Sequence, residues 1–124
     1  MQFKGIYVPV ITPFNDEFSI NEAGFGSIID GVINAGVQGI IVGGTTGEHY
    51  AMDKTERVRT FALVKEAIGS RVPLIAGVGA LRTEDAIYFA QEANKTGADC
   101  LLLGAPYAIP TSEELVRHCL EVER

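Results

Sequence analysis

The chain is poor in several features, and each shortage narrows what it can be. Only two of its 124 residues are cysteine, and they form no C-x-x-C spacing. Cys100 sits in an apolar strand-like run and Cys119 in a helical pattern. They are expected to be ordinary buried thiols in a reducing cytoplasm rather than disulfide or metal partners. No His/Cys/Asp cluster has ligand spacing, so neither a metal nor an organic cofactor is implied. The lysines are four and scattered, at Lys4, Lys54, Lys65 and Lys95. With a net charge of −6 and no cationic cluster, a nucleic-acid partner is not expected. No apolar run nears the ~18 residues of a membrane span. The start, Met1-Gln2-Phe3-Lys4-Gly5, lacks the basic segment and apolar stretch of a secretory leader.

What is present is a strong α/β alternation. Apolar residues make up 47% of the chain, enough for a real core in one ordinary domain. Four runs rich in Val, Ile and Leu (residues 5–11, 38–43, 73–78 and 99–104) show little polar alternation. Such runs suit strands covered on both faces, as in parallel sheets. Helical patterns separate them. Ser19 with Glu22, Asp53 with Glu56, and Thr111 with Glu114 each fit a capping box. Thr83-Glu84-Asp85 places acids in a first turn, where the helix dipole favours them. Gly36, Gly69 and Gly97 stand where left-handed caps are common. Ala86, Phe89, Ala90 and Ala93 recur at helical spacing and define one buried stripe.

The reading is one (βα)4 unit over residues 1–124, with no linker or second domain. The strand repeat of about 30 residues is that of βαβ units and of an eight-unit barrel. Periodicity alone leaves two architectures open. One is the parallel half of a (β/α)8 TIM barrel, and the other is a complete four-stranded doubly wound sheet.

In either architecture ligands bind at the carboxyl ends of the strands. The unusual residues of this chain fall there. Thr12-Pro13-Phe14 follows the first run and Gly43-Gly44-Thr45-Thr46-Gly47-Glu48 ends the second. Gly77-Val78-Gly79-Ala80 ends the third, and Ala105-Pro106-Tyr107-Ala108-Ile109-Pro110 follows the fourth. The glycine-rich turn suits a small carboxylate, which needs convergent donors and close backbone approach. It is not a P-loop, since no Lys-Ser/Thr follows, and it lacks the G-x-G-x-x-G dinucleotide pattern. Each element also has a plainer reading. Thr12-Pro13 serves equally as a strand end, the glycine turn as a tight connection or phosphate nest, and Tyr107 as packing. His49 and His118 read as structural or solvated, and Glu48 as a partner of local backbone.

Together these pieces resemble the dihydrodipicolinate synthase/N-acetylneuraminate lyase family. The anchors are Val10-Ile11-Thr12-Pro13-Phe14, Gly44-Thr45-Thr46-Gly47-Glu48, Ile75-Ala76-Gly77-Val78-Gly79-Ala80, and Pro106-Tyr107 with Pro110-Thr111. The resemblance implies a (β/α)8 barrel of which this chain is the N-terminal half, and a pyruvate-dependent class I lyase or synthase working through a Schiff base. It implies that Thr46, with Gly47 and Thr12 beside it, holds the carboxylate of pyruvate or another 2-keto acid. It also implies that Thr45 and Tyr107 relay protons as the catalytic hydroxyls, Tyr107 reaching a neighbouring subunit's site in a homodimer or homotetramer.

Two departures from the family pattern stand out. Pro106 precedes Tyr107 where many members pair two tyrosines, and Ala108-Ile109 replace more polar residues, so the aldehyde partner need not be aspartate semialdehyde. The family's Schiff-base lysine lies in the second half of the barrel, and no lysine here ends a strand. The chain alone is therefore expected to be inactive. The second substrate stays open among aspartate semialdehyde, sialic acids and 2-keto-3-deoxy sugar acids. A non-catalytic half-barrel acting as a binding or assembly module is the alternative of a different class.

Overall fold

A computed structural model describes residues 3–107 and 110–124. The chain alternates β1 (Tyr7–Pro9), α1 (Gly24–Asn34), β2 (Gly39–Val42), α2 (Lys54–Ile68), β3 (Leu74–Gly77), α3 (Thr83–Lys95), β4 (Cys100–Leu102) and α4 (Ser112–Glu123). Two single 3-10 turns, Thr45–Gly47 and His49–Ala51, lie between β2 and α2. The strands are shorter than the apolar runs that announce them, because only the central residues of each run reach a ladder partner.

All four strands are parallel and pair in sequence order, β1-β2-β3-β4. A doubly wound sheet reverses direction at a switch point. This one never reverses, and α1 packs on α2, α2 on α3 and α3 on α4. One-way progression with the helices on one face is the curl of a barrel wall.

The core lies between sheet and helices. Ile40, Val42, Leu74, Ala76 and Val78 meet Phe25, Ile29, Phe61, Val64 and Ile68 from α1 and α2. The Ala86, Phe89, Ala90, Ala93 stripe of α3 is buried as its spacing predicts. Fully burying a side chain such as Phe61 or Leu74 contributes roughly 1.5–3 kcal/mol. Coverage falls away towards the sheet margins. β2 and β3 are largely buried, whereas β1 and β4 are half-exposed to exposed, so the expectation of strands covered on both faces fails for the outer pair. On the face away from the helices, Pro9, Ile41, Ile75 and Cys100 stand in register across the sheet.

Capping follows the sequence at two helices and departs from it at one. Asp53 with Glu56 and Thr111 with Glu114 form complete capping boxes. Ser19 caps nothing. α1 begins later, at Gly24, without a side-chain cap. Ser19 N–H is held by the Asn15 carboxamide at 2.9 Å, and an antiparallel bridge joins Phe14 to Ile20. Glu22 is drawn instead to Arg59 of α2, which donates to both carboxylate oxygens at 2.8 and 2.7 Å. Gly36, Gly69 and Gly97 all take positive φ at helix ends, as expected.

The cysteine expectation needs correction. Cys100 is only half-buried and Cys119 is exposed on α4. Their strand and helix face surfaces that the described residues leave partly or fully open. His118 is structural, being buried with Nδ1 2.9 Å from the Thr83 hydroxyl, which ties α4 to the start of α3. Among the described residues no helix is long and apolar enough to cross a membrane.

Candidate functional site

The turn after β2 is made by its own backbone. Gly43 takes φ +69°, and an added Cβ would lie 2.8 Å from the Phe61 ring, so only glycine fits. The 3-10 turn then closes through Gly47 N–H to Gly44 O at 3.1 Å and Glu48 N–H to Thr45 O at 3.0 Å. Glu48 ends it in the left-handed region. Its carbonyl accepts from Ala51 N–H at 2.9 Å, while its side chain is exposed. The N–H groups of Thr45 and Thr46 precede the first internal bond of this turn, the position where helical turns leave donors for other partners.

Thr12 locks the turn from the segment that follows β1. Its buried hydroxyl donates to Gly47 O at 2.8 Å across 35 residues of sequence. Thr12, Thr46 and Gly47 therefore form one continuous structure at the ends of β1 and β2. Gly47 is buried, with both backbone polar groups engaged inside the chain. What this segment presents outward is Thr45 and Thr46, both exposed.

A cleft of about 730 Å³ opens beside the turn. Thr45 and Tyr107 both line it, while Thr12, Thr46 and Gly47 do not. The expected site residues thus fall into two groups that share the Thr-Thr turn. Tyr107 is 82% exposed. Ala108 and Ile109, the residues expected to bear on the aldehyde partner, lie outside the described residues.

Sequence reasoning missed Arg57, the most consequential charge near the cleft. It projects from α2 and is only 3% exposed. Nη1 donates to Gly79 O at 2.9 Å, and Nη2 to Gly77 O at 2.6 Å and Gly43 O at 3.3 Å. The Phe89 ring covers the guanidinium at 4.2 Å. Burial pushes its pKa down to about 10, which keeps it cationic at neutral pH. His49 also lines the cleft, and its pKa is lowered by burial and by the nearby Arg57 charge. One signal was available: residues 57, 61, 64 and 68 share the helical spacing of the buried face, and Arg57 heads that row.

The lysines stay away from the strand ends. Lys54 on α2 pairs with Asp85 at the cleft margin, and its hydrogen bond, aided by its charge, lowers the Asp85 pKa. Lys65 pairs with Asp99 at 3.3 Å and Lys95 with Glu92 at 2.6 Å. Each is held beside a carboxylate near the surface, the opposite of the desolvated setting an imine-forming amine needs.

Four parallel strands progressing one way under a layer of helices, with a Gly-Gly-Thr-Thr-Gly turn at one strand's carboxyl end, place the chain in the class of α/β-barrel proteins. Residues 2–122 match the dihydrodipicolinate synthetase family. The chain belongs to that family. It is 38% identical over 121 residues to a 4-hydroxy-tetrahydrodipicolinate synthase of Gluconacetobacter diazotrophicus, covering 97% of this chain and 41% of the relative. Among solved structures it resembles YagE of E. coli K12, a prophage protein of the dihydrodipicolinic acid synthase family in complex with pyruvate. There the TM-score is 0.93 at 31% identity, with 98% of this chain and 41% of that one covered. It also resembles CdNal of Clostridium difficile in complex with mannosamine, with TM-score 0.93, 30% identity, and coverage of 99% and 43%. The chain thus spans about two fifths of the length of its relatives, and its four strands form half of a barrel wall.

Proposed function

We propose that this chain supplies the pyruvate-holding and proton-relaying half of a Schiff-base lyase or synthase, of the 4-hydroxy-tetrahydrodipicolinate synthase type. The observation that carries the reading is the turn after β2, fixed by Thr12 and Arg57 and presenting Thr45 and Thr46 outward. In this reading Thr46 donates to the pyruvate carboxylate, supported by Gly47 and Thr12. Convergent neutral donors at a glycine-opened backbone are what a small carboxylate requires. Thr45 and Tyr107 carry protons during imine formation and breakdown, since a hydroxyl both donates and accepts. The exposure of Tyr107 supports a role completed in a neighbouring subunit of a homo-oligomer.

The amine that attacks pyruvate is not among these residues in this reading. The test is reductive trapping. With pyruvate and borohydride, the 124-residue chain gains no pyruvyl adduct. The same chain completed by the second half of the Gluconacetobacter relative gains one, located on a lysine of the added half. An adduct on any of Lys4, Lys54, Lys65 or Lys95 would refute the assignment.

Cleavage of a sialic acid or a 2-keto-3-deoxy sugar acid is the second reading. It is favoured by the lone Tyr107 after Pro106 and by the likeness to CdNal with mannosamine. A panel of aspartate semialdehyde, N-acetylneuraminate and 2-keto-3-deoxygluconate, given to the completed chain, separates the two. A half-barrel that binds without catalysis is the reading left standing if the completed chain traps no pyruvate.

A further inference from the structure

Arg57 is an uneconomical way to fill space. A buried charge is costly unless fully partnered, and an apolar side chain of similar volume packs as well or better. Here the guanidinium is partnered by three backbone carbonyls, yet Nε remains buried without a partner. Those carbonyls are not a random set. The β2–β3 ladder ends at Val42 and Ala76, and the carbonyls of Gly43, Gly77 and Gly79 lie beyond that last rung. An added Cβ on Gly77 would approach Gly43 O to 2.5 Å, so the two strand ends press backbone against backbone. Such crowding aligns carbonyl dipoles that repel unless a cation sits among them. Gly43 is also the residue from which Gly44-Thr45-Thr46-Gly47 departs.

We propose that Arg57 is a positioning residue for the carboxylate cradle: it sets the direction in which the Thr45-Thr46 turn leaves β2 by pinning the carbonyls of Gly43, Gly77 and Gly79 together. It acts behind the turn. The planar fork serves several acceptors at once, which a lysine ammonium on a flexible stem does not reproduce. Phe89 against the guanidinium face keeps the fork in plane. The role rests on the pyruvate reading given above.

The test uses the completed chain, measuring pyruvate KM, kcat and thermal midpoint. Arg57→Lys keeps the charge and loses the fork, whereas Arg57→Met keeps the volume and loses both. Both are expected to raise the pyruvate KM about tenfold or more, with kcat changed less. Phe89→Leu leaves every carbonyl bond available and is expected to raise KM about three- to fivefold, which keeps the proposal testable if neither Arg57 variant folds. Ile29→Val on α1 supplies a destabilised control whose KM stays at the wild-type value. If the variants lower the thermal midpoint while pyruvate KM stays within twofold of wild type, Arg57 is a structural clasp only and the proposal falls. If the wild-type completed chain traps no pyruvate, the pyruvate reading itself falls and takes this role with it.

Discussion

The ends of β2 and β4 face the same side of the sheet yet are finished in opposite ways. The turn after β2 is closed by its own backbone, bolted to the segment after β1 by Thr12 and braced from α2 by Arg57. The segment after β4 carries Tyr107 out to 82% exposure on a strand whose residues are themselves half-exposed to exposed. The contrast separates two tasks. Holding a small carboxylate demands donors fixed before the ligand arrives, and one chain can fix them. A relay hydroxyl on an uncovered surface is fixed by whatever covers it. In the proposed reading the cradle is thus a property of this chain, and the relay is a property of an assembly.

Four substitutions in the completed chain probe that contrast. The largest effect is expected for Tyr107→Phe. Losing a general acid–base group costs on the order of 10²-fold in rate, so kcat should fall by about that much while pyruvate KM and the thermal midpoint hold. A wild-type rate would remove Tyr107 from the relay. Thr46→Val should act on the other parameter. Removing a hydrogen bond to a charged group costs about 1.5–3 kcal/mol, so pyruvate KM should rise roughly 10- to 100-fold, and an unchanged KM would dismiss the carboxylate role.

Thr12→Val tests whether the cradle is locked from within. It strands the buried Gly47 carbonyl, at a cost of about 1–3 kcal/mol. The chemical-denaturation midpoint should fall by a corresponding amount, with pyruvate KM rising less than in Thr46→Val. No loss of stability would mean that the turn holds itself without β1.

Asp99→Asn, the smallest, concerns how β4 is tied to β3. Asp99 accepts from Leu74 N–H at 2.9 Å, and that bond, aided by Lys65, lowers its pKa against the opposing effect of partial burial. The carboxyl is more acidic folded than unfolded, so its stabilisation is present above the unfolded value of about 4 and is lost as pH falls through the lower folded value. Denaturation midpoints between neutral pH and pH 3 should show wild type losing its advantage over the asparagine variant on the acid side. A constant gap would indicate that the carboxylate charge contributes nothing.

Much of this could be read from residue order because the physics involved is local. Glycine at a positive φ after a helix, Asp53 or Thr111 three residues before a glutamate, and the alanine-rich stripe of α3 each depend on neighbours within one turn. Ser19 failed because Glu22 found a bidentate partner 37 residues away, a competition that no local rule contains. The half-exposed Cys100 was misjudged for a similar reason, since strand composition reports apolarity and not what lies opposite. Arg57 was not legible at all. A charged side chain belongs in solvent by default, and only the converging strand ends of two βα units supply the carbonyls that make its burial tolerable. The Thr-Thr turn was legible as a candidate because glycine spacing and strand position are both written in the chain, whereas the brace behind it is tertiary.

The row Pro9, Ile41, Ile75 and Cys100, on the face turned away from the helices, also makes the chain a reporter of its own closure. A thiol in that row is half-open to small electrophiles in the structure described above. Any wall laid over the row would slow its alkylation, while Cys119, on an exposed helix surface, would keep reacting as a clock within the same molecule. The ratio of the two labelling rates would then measure barrel completion with no substrate present.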